Sequence, residues 1–490
     1  MPSGTLPVVK PRQAVLLIHG IGEQRPMETL RTFVDSVLDQ PDSTSQADAT
    51  YYSKPDLASG NYELRRLVSA GGRSDHADRK DRTDFYEYYW AHLMPNAAWD
   101  RLAGWYWVLM HRKRKEVPKQ LVGLWRLSWA TLLLALGLGL YSTGRFFLGY
   151  PIAPGLLDKA PWLVLAVLGF FSGLFRAYVG DAAVYLSPAP ANIDARQKIR
   201  ATGLDLLENI VASGRYDRII IVGHSLGSVI GYDILTLAWQ KHSDGVRDRL
   251  RAAWLAGELP LIKSSAVRAA EAIAKDIRDP ELVATIGAEE AAGRWRRATW
   301  AVAAEQTNNG DPWLVSDFIT LGSPLTHASA LLARNLTDFT RRTQERELPH
   351  CPPVRELNGH FSFQHKGVDD HGGIQQAAVL HSAALFAVTG WTNLYFPVRG
   401  IIGGDFVGGP VAPLFWAGVR DIAVETKIWK GRLAHTHYWQ RDARDKGPTA
   451  PLTCLREALD LKRTRPWPRG LEAEEIEVAP DPTGLAQPEA

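Results

Sequence analysis

Residues 219 to 228 read IIIVGHSLGS, and this stretch limits the fold more than any other. A short continuous run of β-branched apolar residues is the pattern of a strand buried on both faces. It leads straight into Ser225, which is flanked at two positions by Gly223 and Gly227. The following LGSVIGYDILTLAW has the length and apolar spacing of a helix. A strand-to-helix turn this sharp strains its central residue, and side chains at the flanking positions would clash. The glycines remove them, so Ser225 is expected at the end of the sheet, facing the N-terminus of the helix that begins at Leu226.

The same grammar occurs once earlier. Ala14 to Ile18 is a short apolar run followed by His19-Gly20-Ile21-Gly22, with Leu30, Phe33, Val34 and Val37 at helical spacing beyond it. Further strands are expected at 84–90, 318–321 and 391–396. Helices are expected at 194–212, over much of 229–305, and at 377–388, while 41–83 reads mostly as loop. Short buried strands alternating with helices give the fold class: α/β, a mainly parallel sheet with helices on both faces.

The domain reading follows. Residues 1–12 are a flexible N-terminus and 13–110 the first part of the main domain. Residues 111–190 are a basic stretch with an apolar hairpin inserted in that domain. Residues 191–460 form its second part, with a helical cap at about 241–305, and the Pro/Glu/Ala-rich 461–490 are a disordered tail.

The hairpin follows the basic cluster HRKRKEVPK at 111–119. Leu127–Gly144 and Ala160–Phe175 carry no charged residue and are separated by a Pro/Gly-rich turn. Each falls just short of the ~20 residues that cross a bilayer. Trp125, Trp129, Tyr141, Tyr150, Trp162 and Tyr178 stand near their ends, where an interfacial aromatic belt would lie. The expectation is a transmembrane hairpin in the inner (cytoplasmic) membrane, with both ends and the main domain in the cytoplasm. A hydrophobic insertion lying on the surface, and a soluble buried core in a cytoplasmic protein, are the two other readings.

Charge excludes some partners. With 56 basic against 53 acidic residues, the net charge of +3 gives no reason to expect nucleic acid. Cys351 and Cys454 are far apart, which argues against a disulfide framework and fits a reducing compartment. MPSGTLPVVKPRQ has no apolar core, so no secretory signal is expected.

LLIHGIGEQ (16–24), IIIVGHSLGSVIGYD (219–233), FITLGSPLTHA (318–328) and the pattern from Trp391 to Trp439 together resemble the α/β-hydrolase superfamily, specifically its lipase- and esterase-like serine hydrolases. The resemblance implies an oxyanion hole from the backbone N–H groups of Ile21 and Leu226, with His19 structural. It implies an acid and then a histidine, both after the serine in chain order. Asp405, in the Gly-rich turn GGDFVGGP beyond the strand at 391–396, is the first choice of acid; Asp317, Asp421 and Glu425 are the others. In LAHTHYW, His435 is preferred as base and His437 is the alternative. An H-x-H pair could also hold zinc, but no third ligand stands near it, so no metal is expected.

The implied function is hydrolysis of a carboxylic ester with an apolar acyl group, a small molecule or a lipid, through a Ser225–His435–Asp405 triad and an acyl-enzyme, without cofactor. The competing reading is a catalytically silent, membrane-tethered scaffold that keeps the hydrolase fold. The sequence decides neither the acyl group, nor ester against thioester or amide, nor the oligomeric state.

Overall fold

The computed structural model describes residues 12–20, 25–38, 50–69, 82–94 and 190–463, the last with gaps at 259–260, 357, 369–371, 400–402 and 428–433, together with isolated positions between 114 and 185. The expectations for residues 1–11 and 464–490, for Ile21, for the acidic cluster at 369–371 and for most of the apolar hairpin fall outside these residues.

Among the described residues, eight strands form the central sheet. They are β1 (Arg12–Ile18), β2 (Tyr51–Pro55), β3 (Arg65–Ser69), β4 (Thr83–Tyr88), β5 (Tyr216–His224), β6 (Val315–Leu321), β9 (Gly390–Tyr395) and β10 (Arg420–Ala423), in the order β10-β9-β6-β5-β1-β4-β3-β2. The six from β10 to β4 pair in parallel. The hairpin β2–β3 adds antiparallel to β4 at one edge. A separate two-stranded ribbon joins β7 (Ser362–Val368) and β8 (Ile374–Leu380).

The strand residues alternate between two cores, as side chains on a pleated strand must. Val15, Leu17, Ile220, Val222, Ile319 and Leu321 face one layer, built by helix α1 (Glu28–Val37) and helix α7 (Pro451–Leu459). Ala14, Leu16, Ile18, Ile219, Ile221 and Phe318 face the other. There lie α2 (Pro190–Ala212), α3 (Leu226–Leu255), α4 (Ser265–Asp276) and α6 (Ala288–Asn308), with the short α5 (Pro280–Ile286) packed on α6. Because both faces are covered, the central runs Ala14–Ile18 of β1 and Ile219–Val222 of β5 are continuously apolar.

The chain leaves β1 for β4 on one side and returns through α2 to β5 on the other. The connections therefore reverse direction between β1 and β5. In open α/β sheets that crevice, at the carboxyl ends of the strands, is where ligands bind.

Two expectations need correction. Residues 41–83 contain the strands β2 and β3. Residues 377–388 are not a helix: 374–380 are β8 and 385–387 one 3₁₀ turn. Alanine favours helix locally, but pairing with β7 supplies the backbone partners that decide the matter. Within the 241–305 segment read as a helical cap, α6 packs at the far end of the sheet. Trp295 on α6 is 1% exposed and donates to the Phe386 carbonyl, 3.1 Å away, and Arg296 pairs with Asp317 and Thr392 near the amino ends of β6 and β9. That end of the sheet is opposite to Ser225.

Among the described residues, no helix is long and apolar enough to cross a membrane. The transmembrane part of the expected fold class thus has no support from them.

Candidate active site

Ser225 ends β5 and opens α3 with φ 52° and ψ −127°, a conformation that costs of order 1–3 kcal/mol for a residue with a side chain. The surroundings hold it there. Its N–H donates to the Leu321 carbonyl at 2.9 Å, while its carbonyl accepts from the Ser228 N–H at 3.0 Å and the Ser228 hydroxyl at 2.6 Å. The flanking glycines are required sterically. A Cβ on Gly223 would lie 2.5 Å from Ser228 Cα, and one on Gly227 2.2 Å from the Ile18 carbonyl oxygen. The helix can thus sit hard against the end of β1, and Ser225 is driven into the crevice between β1 and β5.

The other two candidates arrive from far along the chain. Asp405 lies in the turn beyond β9, with its N–H on the Phe396 carbonyl at 3.3 Å. His435 lies in a 3₁₀ turn at Ala434–Thr436, tied back by the Ala434 N–H on the Gly404 carbonyl at 3.2 Å. His435 Nδ1 is 2.9 Å from Asp405 Oδ2, and His435 Nε2 is 2.9 Å from Ser225 Oγ. All three are buried, with Asp405 1% and Ser225 2% exposed.

Asp405 accepts four hydrogen bonds. Val407 N–H (2.8 Å) and Gly408 N–H (3.1 Å) donate to Oδ1; His435 Nδ1–H and the Tyr438 hydroxyl (2.7 Å) donate to Oδ2. Burial pushes its carboxyl up, but the attraction of the His435 ring and these donors prevail and hold it down at about 2. An ionised Asp405 can only accept, so His435 carries its proton on Nδ1 and turns the lone pair of Nε2 to Ser225. Ser225 Oγ–H then donates to His435.

The structure also locates the alternatives. Asp317, near the amino end of β6, is locked by Arg218 (2.8 Å), Ser316 and Arg296. Asp421 accepts from Asn393 and from the N–H groups of Val411 and Ala412, a structural staple. Glu425 forms an exposed pair with Arg399. His437 lies two residues beyond His435, and its Nδ1 has no partner. His19 is buried against Trp90, with ring centroids 5.2 Å apart; burial lowers it to about 4, so it stays neutral. Among the described residues no three His, Cys, Asp or Glu side chains gather as a metal site.

Three contributors escaped the sequence reading. Tyr438 orients the acid, as described. His224 has Nε2 2.9 Å from the His435 carbonyl and rings packed against His435 and Trp439 at 5.0 and 4.9 Å. Burial, with the neighbouring His435 charge, lowers it to about 3, so it is neutral and donates from Nε2 to that carbonyl. Gly322, at φ 58°, lies under the triad; a Cβ there would be 2.7 Å from Asp405 Oδ2 and 3.1 Å from His435 Nδ1. Gly322 stands in the quoted FITLGSP and His224 inside VGHSLG, so both were visible as motif letters, but nothing local gave them a role.

Comparisons with protein-family models, with curated proteins and with solved structures each return no match. The functional reading rests on residues and geometry.

Proposed function

We propose that this chain is a serine hydrolase of the α/β-hydrolase kind that cleaves carboxylic esters through an acyl-enzyme. One observation carries the reading: an unbroken hydrogen-bonded relay from Asp405 through His435 to Ser225, at the crevice where the sheet reverses its connections. A strained serine between two sterically required glycines has no structural use that an unstrained turn would not serve better.

In the proposed mechanism His435 Nε2 takes the Ser225 proton as Oγ attacks the ester carbonyl carbon. Asp405 stabilises the resulting imidazolium without taking its proton. The tetrahedral oxyanion is met by the Leu226 N–H. That group is in the first turn of α3, where N–H groups lack an intrahelical acceptor, at the positive end of a 30-residue helix. The Ile21 N–H is proposed as the second donor on resemblance. The loop bearing it starts beside the serine, since a Cβ on Gly20 would lie 2.9 Å from Ser225 Cβ. Collapse breaks the ester C–O bond, and the leaving alkoxide takes the proton from His435. Water, with His435 again as base, then hydrolyses the acyl-serine and restores the hydroxyl.

The membrane hairpin belongs to the same proposal. Leu132, Leu133, Leu134, Leu136 and Leu140 stand 45–67% exposed on helical backbone, and Phe147 80%. Hydrocarbon displayed on several sides of a helix calls for cover other than water, and lipid is the cover proposed. Retention in the membrane pellet after carbonate extraction supports this; release into the supernatant removes it.

The catalytic reading is tested with a fluorophosphonate probe on wild type, Ser225→Ala and His435→Ala. Label on wild type alone is expected. A folded wild type that takes no label would leave the catalytically silent scaffold as the better reading.

A further inference from the structure

We propose that Ser228 and Ser323 are positioning residues that aim and polarise the Leu226 N–H for the oxyanion; this rests on the reading of Ser225 as nucleophile. Both serines are fully buried. The Ser228 hydroxyl lies 2.6 Å from the Ser225 carbonyl oxygen and 2.7 Å from the Ser323 hydroxyl. A carbonyl can only accept, so the Ser228 proton goes to Ser225. The contact between the two hydroxyls must then take its proton from Ser323. The Ser323 oxygen in turn accepts from the Leu325 N–H at 3.2 Å. All the protons therefore run one way, from the turn after β6, through Ser323 and Ser228, to the carbonyl of the nucleophile. The two serines stand 95 residues apart, and the parallel pairing of β5 with β6 brings them together.

A serine in a helix often returns its hydroxyl to a carbonyl three or four residues back, and that habit alone carries no role. Two features set this case apart. The Ser225 carbonyl already accepts the Ser228 N–H at 3.0 Å, so the hydroxyl is not needed to satisfy it. That carbonyl also belongs to the strained residue, at φ 52°. The Ser225–Leu226 peptide is trans and planar, so its C=O and N–H point in opposite directions. Two donors on the carbonyl thus fix the aim of the Leu226 N–H on the other side of the unit. They also draw electron density toward the carbonyl oxygen, which makes the N–H a stronger donor. Chained hydrogen bonds reinforce one another in this way, most of all where water is excluded, as it is around these three serines. A donor aimed and polarised in advance costs no reorganisation when charge develops on the substrate oxygen.

The test uses the full-length protein as wild type, Ser228→Ala, Ser323→Ala and the double variant. The substrates are 4-nitrophenyl acetate and its thionoester, in which sulfur replaces the carbonyl oxygen. Ser228→Ala should lower kcat for the ester about tenfold with KM unchanged, the mark of an interaction made only in the transition state. Sulfur accepts hydrogen bonds weakly, so the thionoester should lose only about twofold, and the ester-to-thionoester ratio of kcat should fall about fivefold. Ser323→Ala should lower kcat for the ester about threefold, and the double variant should lose no more than Ser228→Ala, because Ser323 acts through Ser228. Alanine suits a helix better than serine, so Ser228→Ala is expected to fold; if it does not, Ser323→Ala, outside the helix, is read by the same ratio. A folded Ser228→Ala with kcat within about twofold of wild type overturns the proposal. A fall shared equally by ester and thionoester marks a merely structural loss and overturns it as well. So does a double variant that loses the product of the two single effects. Fluorophosphonate labelling separates the two claims: with Ser225 of wild type labelled and the ratio flat, the positioning role falls alone; with no label, both fall.

Discussion

Asp405→Asn is the most informative single change, because it keeps shape and alters one property. The side-chain oxygen can still accept from Val407 and Gly408 N–H, which fixes the amide nitrogen at the place of Oδ2. That nitrogen now donates toward His435 Nδ1, 2.9 Å away, where the carboxylate had accepted. Nδ1 must give up its proton to receive this bond, so the proton moves to Nε2 and faces Ser225 Oγ. Two hydrogens would then meet across the 2.9 Å contact, or the hydroxyl turns away; in either case His435 cannot take the serine proton. The imidazolium also loses its counter-charge in a buried site. Wrong-tautomer variants of this kind lose about 10⁴ in kcat, or about 5.5 kcal/mol. The assay is kcat for 4-nitrophenyl acetate, together with the rate of fluorophosphonate labelling, on protein whose far- and near-UV circular dichroism matches wild type. A folded variant that keeps more than about a tenth of wild-type kcat would refute the reasoning, since the tautomer would then be set by some other group.

Other outcomes follow from the same geometry. His224→Phe removes the donor to the His435 carbonyl while keeping the aromatic packing; kcat should fall about tenfold, with melting temperature and the Ser225 label retained, the loss matching one buried hydrogen bond of about 1–1.5 kcal/mol. Gly227→Ala places a Cβ 2.2 Å from the Ile18 carbonyl oxygen, so the elbow must shift, and labelling should slow at least about a hundredfold in whatever protein folds. Asp317→Ala strands Arg218 and Arg296 in the interior and should cost about 3–5 kcal/mol in urea denaturation at neutral pH. In wild type, burial pushes Asp317 up but the two arginines prevail and bring it from 3.8 to about 2. Its folded value is depressed, so its stabilisation is complete above about pH 4 and is lost as pH falls toward 2. The urea midpoint of wild type should drop through that window, and that of Asp317→Ala should drop less.

Much of this protein is decided by sequence, because the decisive constraints there are local. A four-residue β-branched run, two glycines two positions from a serine, and an apolar helix behind them permit only one kind of turn. The alternation of such units likewise sets a parallel sheet with helices on both faces. Edge elements were less legible: β2, β3 and β8 are short, partly exposed strands without strong alternation, and partners distant in sequence fix them. The same holds for α6, whose helical pattern is local but whose place beside Phe386, Asp317 and Thr392 is not.

At the candidate site the division is sharper. The serine is recognisable alone, but an acid and a base are defined by where they meet it. Asp317, Asp405, Asp421 and Glu425 are alike as letters. Only the tertiary structure gives one of them a histidine at 2.9 Å and surrounds the others with arginines, amides or solvent. Tyr438, His224 and Gly322 work across contacts 33, 211 and 83 residues apart (405 to 438, 224 to 435, 322 to 405), and no local pattern encodes such pairs. Sequence sets which backbone turns are affordable; chemistry at the turn depends on which side chains the closed sheet brings within a hydrogen bond of one another.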